Sequence, residues 1–230
     1  MAVLMVRVFM KIGRKKHIKS YFFLFIVLVA LPMLSEEVEI PLTEDLMREH
    51  GIISRVCLLC ENGIKRIDNH EDFPAAVFND VLHIIESFIE DYHEKLEENY
   101  IFPLFEKNKI EVALVKTLRD QHNKGRKMRG KLQKIIEGKR ILSWRIKGEI
   151  KHLLWQFITM YRPHAAREDT VLFPQIRSLM SEEAFKELGE KFDDLERESL
   201  GEGGFETTVQ SVERIEKQLG IYQLEQFSPA

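Results

Sequence analysis

Apolar residues recur at helical spacing in four long stretches of this chain, and those stretches predict most of its architecture. In the first, Leu46, His50, Ile53, Cys57, Cys60 and Ile64 fall on one face, with Thr43 after Pro41 as the expected N-cap and an end near residues 68–72. The second opens at Pro74, suited to the first helical position, and carries a stripe from Val77 through Phe88 and Tyr92 to about Phe105. The third spans about 110–136. Gly125 and Gly130 interrupt it, and since each costs a helix roughly 1 kcal/mol relative to alanine, either marks a candidate close approach. The fourth runs over about 142–179, with Pro163 and Pro174 expected to bend it or end it early. No segment alternates with period two for long. The fold class is therefore all-α, an antiparallel up-down four-helix bundle over residues 40–180. Residues 181–230 add extra C-terminal helices: a charged one, a Gly201–Glu202–Gly203–Gly204 joint, and an amphipathic one with Val209, Val212, Ile215 and Leu219, expected to dock on the bundle or on a partner subunit.

Charge changes this picture at the N-terminus. The chain carries −3 overall, but its first 35 residues hold six basic groups and no acid, which leaves the remainder at −9. An acidic body argues against nucleic acid as a partner. The basic stretch precedes an apolar run from Tyr21 to Leu34, the layout of a secretory signal and too short for the roughly twenty residues that span a bilayer. Residues 1–35 are thus expected to be a signal peptide or N-terminal anchor of an exported, periplasmic or membrane-tethered protein. A start at Met33 would instead give a cytoplasmic one.

The candidate chemistry lies in a constellation that occurs twice. His50 is followed by His93, Glu97 and Phe102–Pro103; His122 is followed by His164, Glu168 and Phe173–Pro174. The intervals are 43 residues from His50 to His93 and 42 from His122 to His164. Residues four apart share a helix face, so each His-x-x-x-Glu can aim an imidazole and a carboxylate at one point. One such pair alone is usually a solvated surface pair. Two copies at matching spacing, both among apolar residues, point to metal ligation. Four imidazoles and two bridging carboxylates supply about eight of the roughly twelve bonds that two octahedral ions need, which leaves room for solvent and an exogenous ligand. A structural zinc site would be closed by four ligands and is commonly rich in cysteine. The mixed nitrogen and oxygen set favours iron.

These blocks, Leu-Met-Arg-Glu-His50, Tyr-His93-Glu-Lys-Leu-Glu97-Glu-Asn-Tyr-Ile-Phe-Pro, Gln-His122-Asn-Lys-Gly-Arg126 and Tyr-Arg-Pro-His164-Ala-Ala-Arg-Glu168-Asp-Thr-Val-Leu-Phe-Pro, resemble bacterial hemerythrin-like proteins of the histidine-histidine-glutamate cation-binding family. The resemblance covers about 40–180. It implies a cofactor of two iron ions, an oxo- or hydroxo-bridged di-iron centre, held by His50, His93, Glu97, His122, His164 and Glu168. The partner it implies is a small diatomic or peroxide ligand: dioxygen, peroxide or nitric oxide. Oxygen carriers of this kind have a further histidine one turn after the position of His122, where this chain has Arg126. That departure turns the expectation from oxygen carriage toward redox chemistry, including peroxidase or catalase-like activity, or gas sensing. Carriers also bridge through an aspartate at the position of Asp169; His-x-x-x-Glu in both halves favours Glu168.

Metal-bound imidazoles usually donate their other N–H to a carboxylate or carbonyl. Glu49, Glu90, Tyr92, Tyr100, Tyr161, Arg126 and Asp169 are the candidates for that surrounding layer. His17, His70, His83 and His152 fit no position in the pattern. Cys57 and Cys60 sit in an apolar helical stretch and read as small buried hydrophobes, with a redox role as the alternative. The alternative to a reacting protein is a metal-dependent sensor or iron-handling module without turnover, whose C-terminal extension meets an electron donor or partner protein.

Overall fold

Each apolar stripe has folded into a helix, and every element among the described residues is helical. The computed structural model describes residues 41–138 and 143–229. The N-terminal segment, with the export reading and the Met33 start that rest on it, lies outside the described residues. No helix among the described residues is long and apolar enough to cross a membrane.

Helix α1 (Leu42–Asp68) starts ahead of Thr43, with Pro41 rather than Thr43 at the N-cap position. The Pro41 carbonyl accepts from the N–H groups of Glu44 and Asp45, whose carboxylates face the positive end of the helix. Rod α2 changes pitch along its length. It is α-helical over Ala75–Ile84, π-helical over Ile85–His93, α-helical over Glu94–Leu96, π-helical over Glu97–Ile101 and α-helical over Phe102–Asn108. Pro74 is its N-cap residue. Helix α3 covers Val112–Glu137. Rod α4 repeats the design of α2: α-helical over Trp144–Arg167, π-helical over Glu168–Leu172, α-helical over Phe173–Ile176, with a closing 3-10 turn at Arg177–Leu179.

The two prolines expected to break α4 behave differently. Pro163 sits inside unbroken α-helix. The carbonyl it leaves unbonded belongs to Thr159, which is exposed, so water can satisfy it. Pro174 is preceded by the π segment instead, and so is Pro103 in α2. A proline ring clashes with the carbonyl four residues back. Those residues, Asn99 and Thr170, both lie within the widened turns, which relieve the clash without ending the rod.

Helix α1 packs against α2 and α4, and α3 packs against the same two rods. Phe78, Phe88, Phe102, Phe105, Phe157 and Phe173 are fully buried among them. The C-terminal extension forms α5 (Glu182–Leu200) and α6 (Gly204–Leu219), each in contact with α1 and α2 and part of the same compact unit. Of the two destinations expected for this tail, it takes the surface of its own chain. The joint between them needs glycine: Gly201 and Gly203 have φ of +84° and +64°, and a Cβ on Gly204 would lie 2.4 Å from that of Leu200. Val212, Ile215 and Leu219 are buried, and Arg55 of α1 donates twice to Glu216, at 2.9 and 2.6 Å.

Candidate metal centre

The widened turns place the two glutamates. Glu97 and Glu168 each begin a π segment, and both are fully buried. Around them the structure gathers the four histidines of the duplicated pattern, one from each rod. Oε2 of Glu97 lies 3.6 Å from His93 Nε2 and 3.4 Å from His122 Nε2. The oxygens of Glu168 lie 3.4 Å from His50 Nε2 and 3.2 Å from His164 Nε2. Each carboxylate therefore spans one histidine from each copy. The His122 and His164 Nε2 atoms are 3.0 Å apart.

The other ring nitrogens all point outward and donate to oxygen acceptors. His93 Nδ1 meets Glu49 at 2.5 Å, and Glu49 also accepts from the Tyr92 hydroxyl at 2.8 Å. His50 Nδ1 meets Asp169 at 2.7 Å, His122 Nδ1 meets Glu98 at 3.1 Å, and His164 Nδ1 meets Gln121 Oε1 at 2.8 Å. A neutral ring with its proton on Nδ1 presents the Nε2 lone pair inward, the tautomer a metal requires. The acceptors follow one register. The residue before the first histidine of each copy, Glu49 or Gln121, holds the second histidine of its own copy. The residue after each glutamate, Glu98 or Asp169, holds the first histidine of the opposite copy.

The inner atoms lack partners. His50 Nε2, His93 Nε2 and both oxygens of Glu97 and Glu168 are buried without a hydrogen-bond partner. Glu97, His122, His164 and Glu168 could hold one ion, and His50, His93 and Glu97 another. Burial disfavours charge on each of these groups, and their neighbours decide which of them carry it. Burial and then the neighbouring Glu168 push the Glu97 carboxyl well up, while burial holds His93 well below the usual imidazole range. Burial also lowers His122 to about 4. Burial opposes charge on His50 as well, but its contacts with Asp169 and Glu168 prevail and hold it up at about 9. On Glu168 the upward push of burial is outweighed by His164 and His50, which keep it ionised.

Of the residues expected around the ligands, Glu49, Tyr92 and Asp169 touch them directly or through one bond. Arg126 stands to His122 as Tyr92 stands to His93, acting through the intervening carboxylate: it pairs with Glu98 at 2.8 Å, and also with Glu94 at 2.7 Å. The Tyr161 ring lies 5.7 Å from that of His164, and its hydroxyl donates to Glu94 at 2.5 Å. Two expected residues do not reach the cluster. Glu90 is bound by Arg129 at 2.7 Å, and Tyr100 faces Phe192 of α5 with a ring separation of 5.7 Å. Glu94 and Gln121 carried no sequence reading. Gln121 could have been found from the duplication, because it stands where Glu49 stands in the first copy. Gly125 is a close approach, whereas a Cβ on Gly130 would meet nothing within 4 Å. Cys57 and Cys60 are buried free thiols, and burial pushes Cys57 up to about 12, so neither is poised as a thiolate. His83 and His152 are exposed, and His70 packs its ring against Trp144.

A cavity of about 330 Å³ opens between α1 and α4 at the His50 edge of the cluster, lined by His50, Gly51, Ser54, Tyr161, Ala165 and Asp169 among others.

Residues 42–176 match the family described as the hemerythrin HHE cation binding domain. An uncharacterised protein of Mycobacterium tuberculosis is 39% identical to this chain over 201 residues, 86% of this chain and 79% of the relative. An uncharacterised protein of Mycobacterium bovis matches with the same identity and coverage. No solved structure matches the chain.

Proposed function

The chain belongs to the hemerythrin HHE cation-binding family, and on that footing we propose that it is a non-haem di-iron protein that binds or reacts with a small oxidant. The observation that carries this reading is that the Nε2 atoms of His50 and His93 and the four oxygens of Glu97 and Glu168 are buried and unpartnered, with every histidine Nδ1 tied outward. Six such atoms at about 1–3 kcal/mol each would cost on the order of 10 kcal/mol. That is comparable to the whole stability of a typical domain. Cations coordinated by them remove the penalty.

In this reading the pair of ions would be held by His50, His93, His122, His164, Glu97 and Glu168, gathered inside an up-down bundle of α1 to α4. Iron in those positions supplies one-electron steps and open positions for dioxygen, peroxide or nitric oxide. The protein orients the imidazoles through Glu49, Glu98, Gln121 and Asp169. The buried aromatic and aliphatic layer, including the rings of Phe102 and Phe173 stacked at 5.5 and 5.3 Å on His122 and His50, excludes bulk water. The same set of ligands would serve a sensor equally well, with turnover as the distinguishing property.

Elemental analysis of the purified chain, beside a Glu97→Ala, Glu168→Ala double variant, tests the reading. Two irons per chain, lost in the variant, and a spectral change with peroxide, oxygen or nitric oxide support it. Zinc, or no metal, defeats it.

A further inference from the structure

Helices α5 and α6 lie on α1 and α2, and the matching flank of α3 carries lysines where α1 carries aliphatic residues. The repeat relates α1 to α3 with an offset of 72 residues. On α1, Ile52, Val56 and Leu59 are buried, and Arg55 between them is answered by Glu216 of α6. The corresponding residues of α3 are Lys124, Met128, Lys131 and Lys127. All three lysines are exposed. They line a groove of about 440 Å³ between α3 and α4, together with Met128, Met160 and Trp155, whose side chain is 55% exposed. No carboxylate lines this groove. Helix α3 holds eight basic residues and two acidic ones in a chain of net charge −3, so the basic charge is concentrated here. Its arginines turn to the other flank: Arg119, Arg126 and Arg129 pair with Glu106, Glu98 and Glu90 of α2. Asp120 is taken by Lys116 at 2.7 Å. Among the described residues, Lys124, Lys127 and Lys131 form no ion pair.

We propose that the groove between α3 and α4 is the docking surface for a small acidic protein that delivers electrons, one at a time, to the metal site. The inference rests on the di-iron reading and adds to it the face at which the reductant arrives. Gln121 joins the two places. It lines the groove, and its Oε1 accepts from His164 Nδ1 at 2.8 Å, so the way inward runs through one carboxamide and one imidazole. Glu49, its counterpart in the first copy, is buried. Three lysines without partners call for carboxylates on the visitor, and such charges raise the rate of encounter. Trp155 supplies the aromatic anchor on which binding energy concentrates. Lysine is depleted from the cores of lasting interfaces, and electron-transfer encounters are among the smallest. The face therefore suits a transient redox partner better than a second copy of this chain. Each encounter oxidises the carrier by one electron. Two electrons and two protons convert one peroxide to two waters, so two encounters complete one reduction.

Flavodoxin, an acidic one-electron carrier, serves as the probe. Its binding to the full-length chain is measured by calorimetry, and its reduction of the oxidised, iron-loaded chain by stopped-flow absorbance, with iron content determined on the same samples. The double variant Lys127→Glu, Lys131→Glu should weaken binding and slow reduction at least tenfold at low salt, and Trp155→Ala should lower both. High salt should bring the wild type toward the double variant. Reversing two lysines away from the groove, Lys107→Glu with Lys109→Glu, should leave both readouts within threefold of the wild type. Reduced methyl viologen, a small cation that needs no docking face, should reduce every variant within threefold of the wild-type rate. Equal effects of the two double variants, or no binding by the wild type, would overturn the docking surface while the di-iron reading stands. So would a wild-type dimer that Lys127→Glu, Lys131→Glu dissolves, or binding to anionic lipid vesicles that the same change abolishes, since either would give the groove to another occupant. Wild-type protein without two irons would defeat the di-iron reading, and the calorimetry would still decide the interface.

Discussion

The hydroxyl of Tyr161 occupies the space that any side chain at position 125 would need: a Cβ built on Gly125 lies 2.2 Å from the phenolic oxygen. Only glycine on α3 lets the Tyr161 ring cross to Glu94 on α2, where its hydroxyl donates at 2.5 Å. Gly125→Ala should therefore destabilise the protein by about 1–3 kcal/mol, the cost of leaving a buried acceptor without its donor, despite the roughly 1 kcal/mol gained in helix propensity. Adding Tyr161→Phe removes the colliding atom. In urea denaturation, that second change should harm the Gly125→Ala background less than it harms the wild type.

The outer acceptors are three carboxylates and one carboxamide, and Gln121 is the exception. A carboxylate behind an imidazole makes it a stronger donor to a metal, and losing such a partner typically costs 10–100-fold in affinity. Glu49→Gln should weaken metal binding at the His93 half by about tenfold. Gln121→Glu should act in the opposite direction at His164. Cobalt titration of the metal-free protein, followed by ligand-field absorbance, reads both; equal affinities in all three proteins would show that the acceptor's charge does not matter.

Asp45 gives a pH dependence outside the cluster. Burial, then the nearby Glu49, raises its carboxyl from 3.8 to about 7, while Arg48 pulls weakly the other way. A carboxyl raised on folding favours the protonated form, so its contribution falls as pH climbs from about 4 to about 7 and is level above. Asparagine mimics the protonated group. Asp45→Asn should match the wild type in stability near pH 4 and exceed it by about 1–2 kcal/mol at pH 8, allowing for screening of this partly exposed group. A constant difference across that range would contradict the assignment.

Removing residues 205–230 deletes most of α6, including the buried Val212, Ile215 and Leu219 and the partner of Arg55. At about 1.5–3 kcal/mol for each buried aliphatic side chain, the truncated chain should lose on the order of 5 kcal/mol, read as a lower urea midpoint. None of the six inward-facing groups lies on α6, so metal content should persist at low temperature.

Six inward-facing residues were legible because the chain states them twice, and a repeated spacing outweighs the weakness of any single His-x-x-x-Glu pair. The layer behind them was only partly legible. Glu90 shares a helix face with His93, but Arg129 reaches across from α3 and claims it, while Glu49 comes from α1 to hold the imidazole. A one-helix face argument cannot see Arg129 arrive, whereas Glu49, next to His50 in the chain, is among the expected candidates. Tyr100 was misplaced for another reason: the π turn from Glu97 to Ile101 slips the 3.6-residue phase, so a residue counted onto the inner face turns out toward Phe192. Pro103 and Pro174 are visible signs of those turns, although Pro174 alone is expected from the sequence to bend or end its helix. Gln121 becomes legible only when the second copy is aligned on the first, where it stands at the position of Glu49.

The crossing pattern of outer acceptors makes the two hairpins interdependent. His50 is steadied by Asp169 and His122 by Glu98, each from the opposite copy, so neither α1–α2 nor α3–α4 can orient both of its own imidazoles. Two copies of one such hairpin, associating side by side, would exchange these acceptors reciprocally and close the same ring. The single chain thus carries the geometry of a symmetric homodimer folded into one polypeptide, with the freedom a homodimer lacks: each half can change alone, as Gly51 and Asn123, or Glu49 and Gln121, already have.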